Sequence, residues 1–310
     1  MNERVAFLFP GQGAQAVGMG RELCSQFPRA RALFAEADEV LRRPLSRLCF
    51  EGPLAELTLT ANTQPALLTV SSALSGVLQT DFGVRPSWVA GHSLGEFSAL
   101  VAAEVLTFAD ALRLVRERGL AMQEAVPPAV GSMAAIFGLD PATIAAICTE
   151  AADGQVVSPA NLNGGGQVVI AGHQQAVERA VALARGRGAK HAVPLAVSAP
   201  FHCALMQPAA LRLATALEPL AIREPTCPVI SNVDARPYAG AGAVKELLVR
   251  QVTSPVRWQE SVEELDRHGC RRAIEVGPGR VLSGLVKRIA PGIRCISGED
   301  LDAVRKLDAA

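Results

Sequence analysis

The segment AGHSLGEFSALVAA, residues 90–103, decides the fold. Its core, GHSLG, is a Gly-x-Ser-x-Gly pattern centred on Ser93, with the short apolar run 87–91 before it and a stretch of helical composition, 96–106, after it. A strand, this pentapeptide and a helix together are typical of a tight turn that lifts a serine hydroxyl above the edge of a sheet. The flanking glycines are needed because side chains there would clash. The pattern therefore predicts that Ser93 is a nucleophile in an α/β protein.

The backbone amides that follow Ser93 add to this prediction. They begin a helix, so the first of them, that of Leu94, has no partner within the helix. The helix dipole favours negative charge at the same place. We therefore expect the Leu94 amide to form half of an oxyanion hole.

Composition and charge exclude several classes of function. The chain has 310 residues, is 49% hydrophobic and has a formal net charge of zero, so nothing global indicates nucleic-acid binding. Its seven cysteines are odd in number and show no CxxC spacing, which argues against a zinc site or a disulfide framework. No apolar run approaches the ~20 residues of a membrane helix. We expect a soluble, cytoplasmic protein without a metal site.

Elements between about residues 128 and 197 follow a different order from the rest. They predict an inserted subdomain with β-α-β-β-α-β order, which is the ferredoxin-like motif, with strands or helices at 132–139, 140–151, 155–162, 167–172, 173–188 and 190–198. The two middle strands flank Asn163-Gly164-Gly165-Gly166, a hairpin signal.

The outer segments, 1–127 and 198–310, alternate between strands and helices and predict one parallel-sheet domain. Strands are expected at 5–9, 87–91, 228–233 and 271–276, and helices at 16–27, 29–42, 64–80, 96–106, 108–125, 203–217, 244–252, 261–269 and 280–289.

Ser93 needs a base, and His202 is the best candidate among five histidines. The segment SAPFHCALM places it at a turn entering a helix, where a helix N-terminus keeps the imidazole neutral. A packed histidine at a helix start is the alternative. His92 is adjacent to the serine, and neighbouring side chains in a tight turn usually diverge. Since no carboxylate between 93 and 202 lies in a recognisable motif, the sequence favours a Ser-His dyad, its ring held by a backbone carbonyl or an amide side chain.

Arg118 lies on the apolar face of the predicted helix 108–125. With Leu112 at zero and about 100° per residue, Arg118 falls near 240°, between Leu114 and Ala111. A buried guanidinium needs an anion, and no Asp or Glu shares this face within one turn. A substrate carboxylate fits the geometry of arginine. The alternatives are a distant structural carboxylate, or a side chain that extends to solvent.

These residues belong to a longer series of motifs, and the series resembles the malonyl-CoA:acyl carrier protein transacylases of bacterial fatty-acid synthesis, whose superfamily includes the acyltransferase domains of polyketide synthases. The resemblance covers essentially the whole chain. Its motifs, in order, are FPGQGAQ, TQPAL, GHSLGEFSALVAA, RERGLAMQEA, PANLNGGGQVVIAG, SAPFHCALM, LVRQVTSPVRW and EVGPGRVLSGLV.

The resemblance implies an α/β-hydrolase-like catalytic subdomain with an inserted ferredoxin-like one, and malonyl transfer through a covalent malonyl-serine without a metal or redox cofactor. It implies roles for nine positions: Ser93 and His202 as catalytic dyad, the amides of Gln12 and Leu94 as oxyanion hole, Arg118 as the group that holds the malonyl carboxylate, Gln64 and Asn161 as pocket residues, Phe201 as the bulky residue that crowds an α-methyl branch, and Gln251 as the residue whose main-chain carbonyl steadies His202.

An acidic acyl carrier protein and coenzyme A thioesters are the partners that the resemblance implies, and we expect a monomer. Basic clusters offer docking sites for the carrier, although each could be only a solvated face: Arg185, Arg187, Lys190 and His191; Arg271 and Arg272; Lys287 and Arg288. Alternative functions are a discrete polyketide acyltransferase, a transferase subunit of malonate decarboxylase, a serine thioesterase, and a non-catalytic carrier-binding subunit.

Overall fold

The computed structural model describes residues 4–127, 129–195, 197 and 199–306. Its strands are β1 Val5–Phe9, β2 Trp88–Gly91, β3 Gly131–Phe137, β4 Val157–Gly164, β5 Gln167–His173, β6 His191–Pro194, β7 Val229–Ile230, β8 Arg272–Glu275 and β9 Arg294–Ser297. Its α-helices are α1 Arg21–Gln26, α2 Pro28–Leu41, α3 Leu45–Glu51, α4 Leu54–Thr58, α5 Thr60–Thr80, α6 Leu94–Ala102, α7 Phe108–Glu124, α8 Pro141–Ala151, α9 Gln174–Gly186, α10 Gln207–Leu217, α11 Val244–Thr253, α12 Trp258–Arg267, α13 Val281–Ile289 and α14 Leu301–Arg305.

The larger sheet is parallel, with strand order β7-β2-β1-β8-β9. Its central strand β1 is buried along its whole length, as expected for a parallel strand covered by helices on both faces. Phe9 pairs with Gly91 in register, so the chain leaves β2 at the carboxyl end of the sheet, where Ser93 follows two residues later. Ligands of open α/β sheets bind at this end.

The smaller sheet is antiparallel, with strand order β4-β5-β3-β6. On one face its apolar residues form a separate core with those of α8 and α9, whereas Met133, Ala135, Ala160 and Val169 on the other face belong to the core that includes the large sheet. The strand and helix order confirms the predicted β-α-β-β-α-β arrangement. Gly164, Gly165 and Gly166 all have positive φ, as the predicted hairpin turn requires. The predicted division of the chain at 127/128 and 197/198 stays a prediction, because Pro128 and Ser198 lie outside the described residues.

Most predicted elements are present, and the differences are local. Helices α3 and α4 and the edge elements β9 and α14 were not predicted, because each is only four to seven residues long. The helix expected at 16–27 begins only at Arg21, since Gly18 and Gly20 have positive φ. The strand expected at 228–233 is only β7, because the chain turns at 231–235. Of the strand expected at 190–198, β6 is described, whereas Ala196 and Ser198 lie outside the described residues.

Helix α5 supports the floor of the site. Seventeen of its 21 residues are buried, so it is a core helix rather than a surface one. It packs against α6 and α7, which brings Gln64 in its first turns next to Arg118 on α7. Within the described ranges, no helix is both long enough and apolar enough to cross a membrane.

Candidate active site

Ser93 occupies a strained turn between β2 and α6. Its backbone has φ 51° and ψ −102°, outside the regions that a non-glycine residue usually adopts. A Cβ atom on Gly91 would overlap the backbone of Gly95, and one on Gly95 would overlap the carbonyl of Phe9, so both glycines are required by close backbone contact. The turn is thus built as GHSLG predicted.

Asn232 holds this turn from the neighbouring strand. Its Oδ1 accepts a hydrogen bond from the amide of Ser93 at 2.7 Å, and its Nδ2 donates to the carbonyl of Gly91 at 2.6 Å. Asn232 is fully buried, so both bonds are shielded from water. The sequence analysis missed this residue, because nothing in the segment ISNVD distinguishes it from an ordinary turn asparagine.

The structure brings Ser93 and His202 together across 109 positions of sequence. The serine Oγ lies 2.7 Å from Nε2 of the imidazole, and Nδ1 lies 2.8 Å from the main-chain oxygen of Gln251. A carbonyl oxygen only accepts, so Nδ1 carries the proton and Nε2 is free to take the proton of the serine. The contact with a carbonyl, rather than with a carboxylate, makes this a dyad.

Burial, with a smaller contribution from the charge of Arg118, lowers the pKa of His202 to about 3. The imidazole is therefore neutral at physiological pH, which is the state that a general base requires.

The amides of Gln12 and Leu94 both belong to residues that line the cavity above Ser93. Within the part of the chain that the structure describes, neither N–H forms a hydrogen bond. That of Leu94 begins α6, where the helix dipole adds to its attraction for an anion. The pair can thus receive the oxyanion of a tetrahedral intermediate.

Arg118 is buried, with only 2% of its surface exposed, yet none of its hydrogen bonds goes to a carboxylate within the described residues. It donates to Gln64 Oε1 at 2.9 Å, to Gln251 Oε1 at 2.8 Å and to Ser93 Oγ at 3.1 Å. These bonds use three of the five N–H donors of a guanidinium, and Nε has no partner.

Burial lowers the pKa of Arg118 to about 10, so it keeps its charge at neutral pH, and the nearby carboxylate of Glu96 opposes the shift. The guanidinium also lies over the ring of Phe97, 5.3 Å from its centroid. A charged group with unused donors beside a nucleophile is a site for an anionic part of a substrate.

These groups border a cavity of about 130 Å³ between the two sheets. The predicted residues Gln12, Gln64, Ser93, Leu94, Arg118, Asn161, Phe201 and His202 line it, together with His92, Met122, Met133, Leu195 and Val197. Gln251 does not line it: it is fully buried, its main-chain oxygen lies 2.8 Å from His202 Nδ1 as the expected steadying contact requires, and its side chain binds Arg118.

Glu96 and Tyr238 are the other residues that sequence reasoning missed. The Tyr238 hydroxyl donates to one oxygen of Glu96, and Gln251 Nε2 donates to the other at 2.6 Å. The available signal was a lone acid in the apolar stretch EFSALVAA. His92 also lies at the site and is half-buried, and its Nε2 lies 2.9 Å from Asn163 Oδ1 of the hairpin.

Members of the predicted basic clusters lie outside this cavity, and two of them form ion pairs, Arg187 with Glu150 and Arg271 with Asp266. Lys287 and Arg288 are exposed in the last turn of α13. The described residues contain no group of three or more His, Cys, Asp or Glu side chains that could hold a metal ion.

Comparisons with known proteins show the family of the chain. The family model described as the acyl transferase domain matches residues 6–290. The malonyl CoA-acyl carrier protein transacylase of Escherichia coli K12 is 54% identical over 284 residues, which is 92% of each chain. That of Bacillus subtilis strain 168 is 49% identical over 302 residues, 97% of this chain and 95% of the relative.

Solved structures show the same similarity. The malonyl CoA-acyl carrier protein transacylase of Coxiella burnetii superposes with a TM-score of 0.96 at 43% identity, over 98% of this chain and 96% of that one. A malonyl-transacylase solved in complex with a type II polyketide synthase acyl carrier protein gives 0.94 at 49% identity, over 97% of each chain.

Proposed function

The chain belongs to the acyl transferase domain family, and on that basis we propose that it transfers the malonyl group of malonyl-CoA to the phosphopantetheine thiol of an acyl carrier protein in fatty-acid synthesis. One observation carries the choice of acyl group: the buried Arg118 guanidinium, which binds no carboxylate among the described residues, lies 3.1 Å from the hydroxyl of Ser93. An acyl group with a free carboxylate satisfies that cation, and an acetyl group does not.

The first half-reaction loads the serine. His202 takes the proton of Ser93 as its oxygen attacks the thioester carbonyl, and the amides of Gln12 and Leu94 receive the negative charge. The C–S bond then breaks, the thiolate of coenzyme A receives the proton from His202, and a malonyl-serine ester remains. The Gln251 carbonyl stabilises the imidazolium while it carries the proton.

The second half-reaction transfers the malonyl group from Ser93 to the carrier. The pantetheine thiol gives its proton to His202 and attacks the ester, and Ser93 recovers its proton as the new thioester leaves. Neither half-reaction changes an oxidation state, so the cycle requires no redox cofactor. The two amides and Arg118 stabilise the negative charges that a metal ion would otherwise stabilise. The shared covalent intermediate makes the kinetics ping-pong.

Phe201 and Asn161 line the cavity in which the acyl group would lie. The ring of Phe201, adjacent to the base, crowds the space of an α-methyl branch, so malonyl is preferred over methylmalonyl.

Among the basic clusters, Lys287 and Arg288 are exposed without ion pairs in the described residues, which suits an acidic carrier docking on a monomer in the cytoplasm.

Transfer and hydrolysis can be measured in one experiment. Malonyl-CoA is mixed with the protein and with a fatty-acid or a type II polyketide holo-carrier, and malonyl-carrier and free malonate are quantified over time. We expect malonyl-carrier to form much faster than malonate. Malonate release that outruns transfer would instead identify a thioesterase, and the faster of the two carriers indicates the pathway.

A further inference from the structure

Glu96 is a buried carboxylate that acyl transfer itself does not use. It lies in the first turn of α6, three residues after Ser93, and its exposed fraction is 0%. The Tyr238 hydroxyl donates to its Oε1, while Gln251 Nε2 at 2.6 Å and the Asn232 amide at 3.2 Å donate to its Oε2. Three donors thus fix its position, and each of them is an uncharged group.

The side-chain amide of Gln251 joins this carboxylate to Arg118. Its Nε2 donates to Glu96 and, at 3.0 Å, to the main-chain oxygen of Ser93, which directs Oε1 toward the guanidinium, 2.8 Å away. The carboxylate and the cation are therefore one amide group apart in a region closed to water.

This separation has an electrostatic consequence. The Glu96 charge favours the protonated state of Arg118 against the effect of burial, and the Arg118 charge likewise opposes the effect of burial on Glu96, whose pKa is raised to about 7. A direct ion pair would occupy the guanidinium donors, whereas a carboxylate one amide away leaves them free. The same negative charge repels any second carboxylate that binds to the guanidinium.

We propose that Glu96 is a specificity-determining residue, a fixed counter-charge that limits how tightly Arg118 holds the free carboxylate of an acyl group. The inference rests on the proposed malonyl transfer. Like charges this close, at the effective dielectric of a protein, change an equilibrium constant by roughly tenfold or more. Tighter binding of both the substrate and the acyl-enzyme does not increase turnover. A weaker attraction between Arg118 and the malonyl carboxylate therefore suits a site that must also release the malonyl group.

The variant Glu96→Gln tests the charge alone. Its amide oxygen can still accept from Gln251 and Asn232, and its NH₂ can donate to the oxygen of Tyr238. Transfer to holo-carrier is measured at about pH 8.5, where the wild-type carboxyl, with a pKa of about 7, is ionised. The readout is the ratio of kcat/KM for malonyl-CoA to that for acetyl-CoA, because a general loss of activity cancels in it.

We expect the ratio to rise about 5- to 20-fold through a lower KM for malonyl-CoA, since only the carboxylated substrate is relieved of repulsion. A ratio within about twofold of wild type, or a lower one, overturns the inference. If the wild type itself forms no malonyl-enzyme, the proposed function fails; if it does and the ratio is unchanged, only the role of Glu96 fails.

Glu275→Gln is the matched control. Glu275 is equally buried, but it binds the amides of Leu282 and Ser283, away from Arg118, so its variant should keep the wild-type ratio. An equal rise in this control contradicts the proposal. Should Glu96→Gln fail to fold, Tyr238→Phe measured at about pH 7.5 replaces it. Because this variant removes one hydrogen-bond donor to Glu96, it raises the Glu96 pKa and lowers the charge of the carboxyl. A smaller rise in the malonyl-to-acetyl ratio then supports the proposal, and an unchanged ratio overturns it.

Discussion

Three side chains from distant parts of the chain define the chemistry at the scale of single residues. Ser93 follows a strand, His202 precedes a helix and Arg118 lies within another helix. Polar atoms of His202 and Arg118 nevertheless lie within 3.1 Å of the Ser93 hydroxyl. The sequence could indicate each residue by its local pattern: a serine between glycines, a histidine at a turn, an arginine on an apolar face. The sequence could not indicate the roles of Asn232 and Glu96. Those roles depend on contacts with residues about 140 positions away and with other buried polar groups, which leave no local pattern.

Arg118→Ala should separate malonyl from acetyl transfer. The variant loses a charge-assisted pair with the malonyl carboxylate, worth about 2–4 kcal/mol, which acetyl-CoA never makes. We expect kcat/KM for malonyl-CoA to fall at least about 30-fold and that for acetyl-CoA to fall much less. Steady-state kinetics with both substrates check this, and equal losses would contradict the role of Arg118 in binding the carboxylate.

The His202 ring should stay neutral at pH values well below those at which a histidine side chain usually becomes protonated. Its pKa of about 3 in the folded protein lies below the ordinary histidine pKa of about 6.5, so between these two pH values the unfolded chain binds a proton there that the folded one does not. The group therefore favours folding above pH 6.5, and this contribution is lost as the pH falls toward about 3. An NMR titration should show no change in the His202 ring signals between about pH 8 and pH 5. A midpoint near 6.5 would contradict it.

At the scale of elements, the β2-turn-α6 unit depends on close backbone contact at its two glycines. A methyl group on Gly95 would overlap the Phe9 carbonyl of the adjacent strand, so Gly95→Ala must push α6 away from the sheet. We expect a loss of at least about 3 kcal/mol of unfolding free energy, or no folded protein, in denaturant titrations.

Gly284→Ala is the control for that substitution. Gly284 lies inside α13, and no heavy atom beyond its own helix turn lies within 4 Å of an added Cβ. Alanine should therefore stabilise the protein by about 0.5–1 kcal/mol. Tolerance of alanine at Gly95 comparable to that at Gly284 would show that the turn is not constrained as described.

Long periodic elements were predictable from the sequence, and short ones were not. The amphipathic helix α7, the four strands of the small sheet and the two helices α8 and α9 were expected close to their observed positions. Helices α3 and α4 are too short to show a period, and α5 begins four residues before its predicted start, so Pro65 lies in the helix interior rather than at its predicted second position. Tertiary packing on all sides, not local propensity, keeps α5 helical there.

At the scale of the whole molecule, the site exists because one face of the small sheet packs into the core that includes the large sheet, so that residues of both parts line one cavity. The large sheet supplies the nucleophile and the oxyanion amides, and the small sheet supplies Asn161. Two backbone hydrogen bonds tie β4 to the chain beyond α11, from Leu162 N to Val256 O and from Val256 N to Ala160 O. The βαββαβ order was readable from the sequence, whereas this contact between β4 and the segment after α11 was not, because no pattern within either segment records it.

The central claim is that Ser93 carries the malonyl group, and intact-mass spectrometry after mixing with malonyl-CoA tests it most directly. The wild type should gain the mass of one malonyl group, in a form that holo-carrier removes, and Ser93→Ala should gain nothing. The account is contradicted if the wild type stays unmodified, or if Ser93→Ala acquires the same adduct.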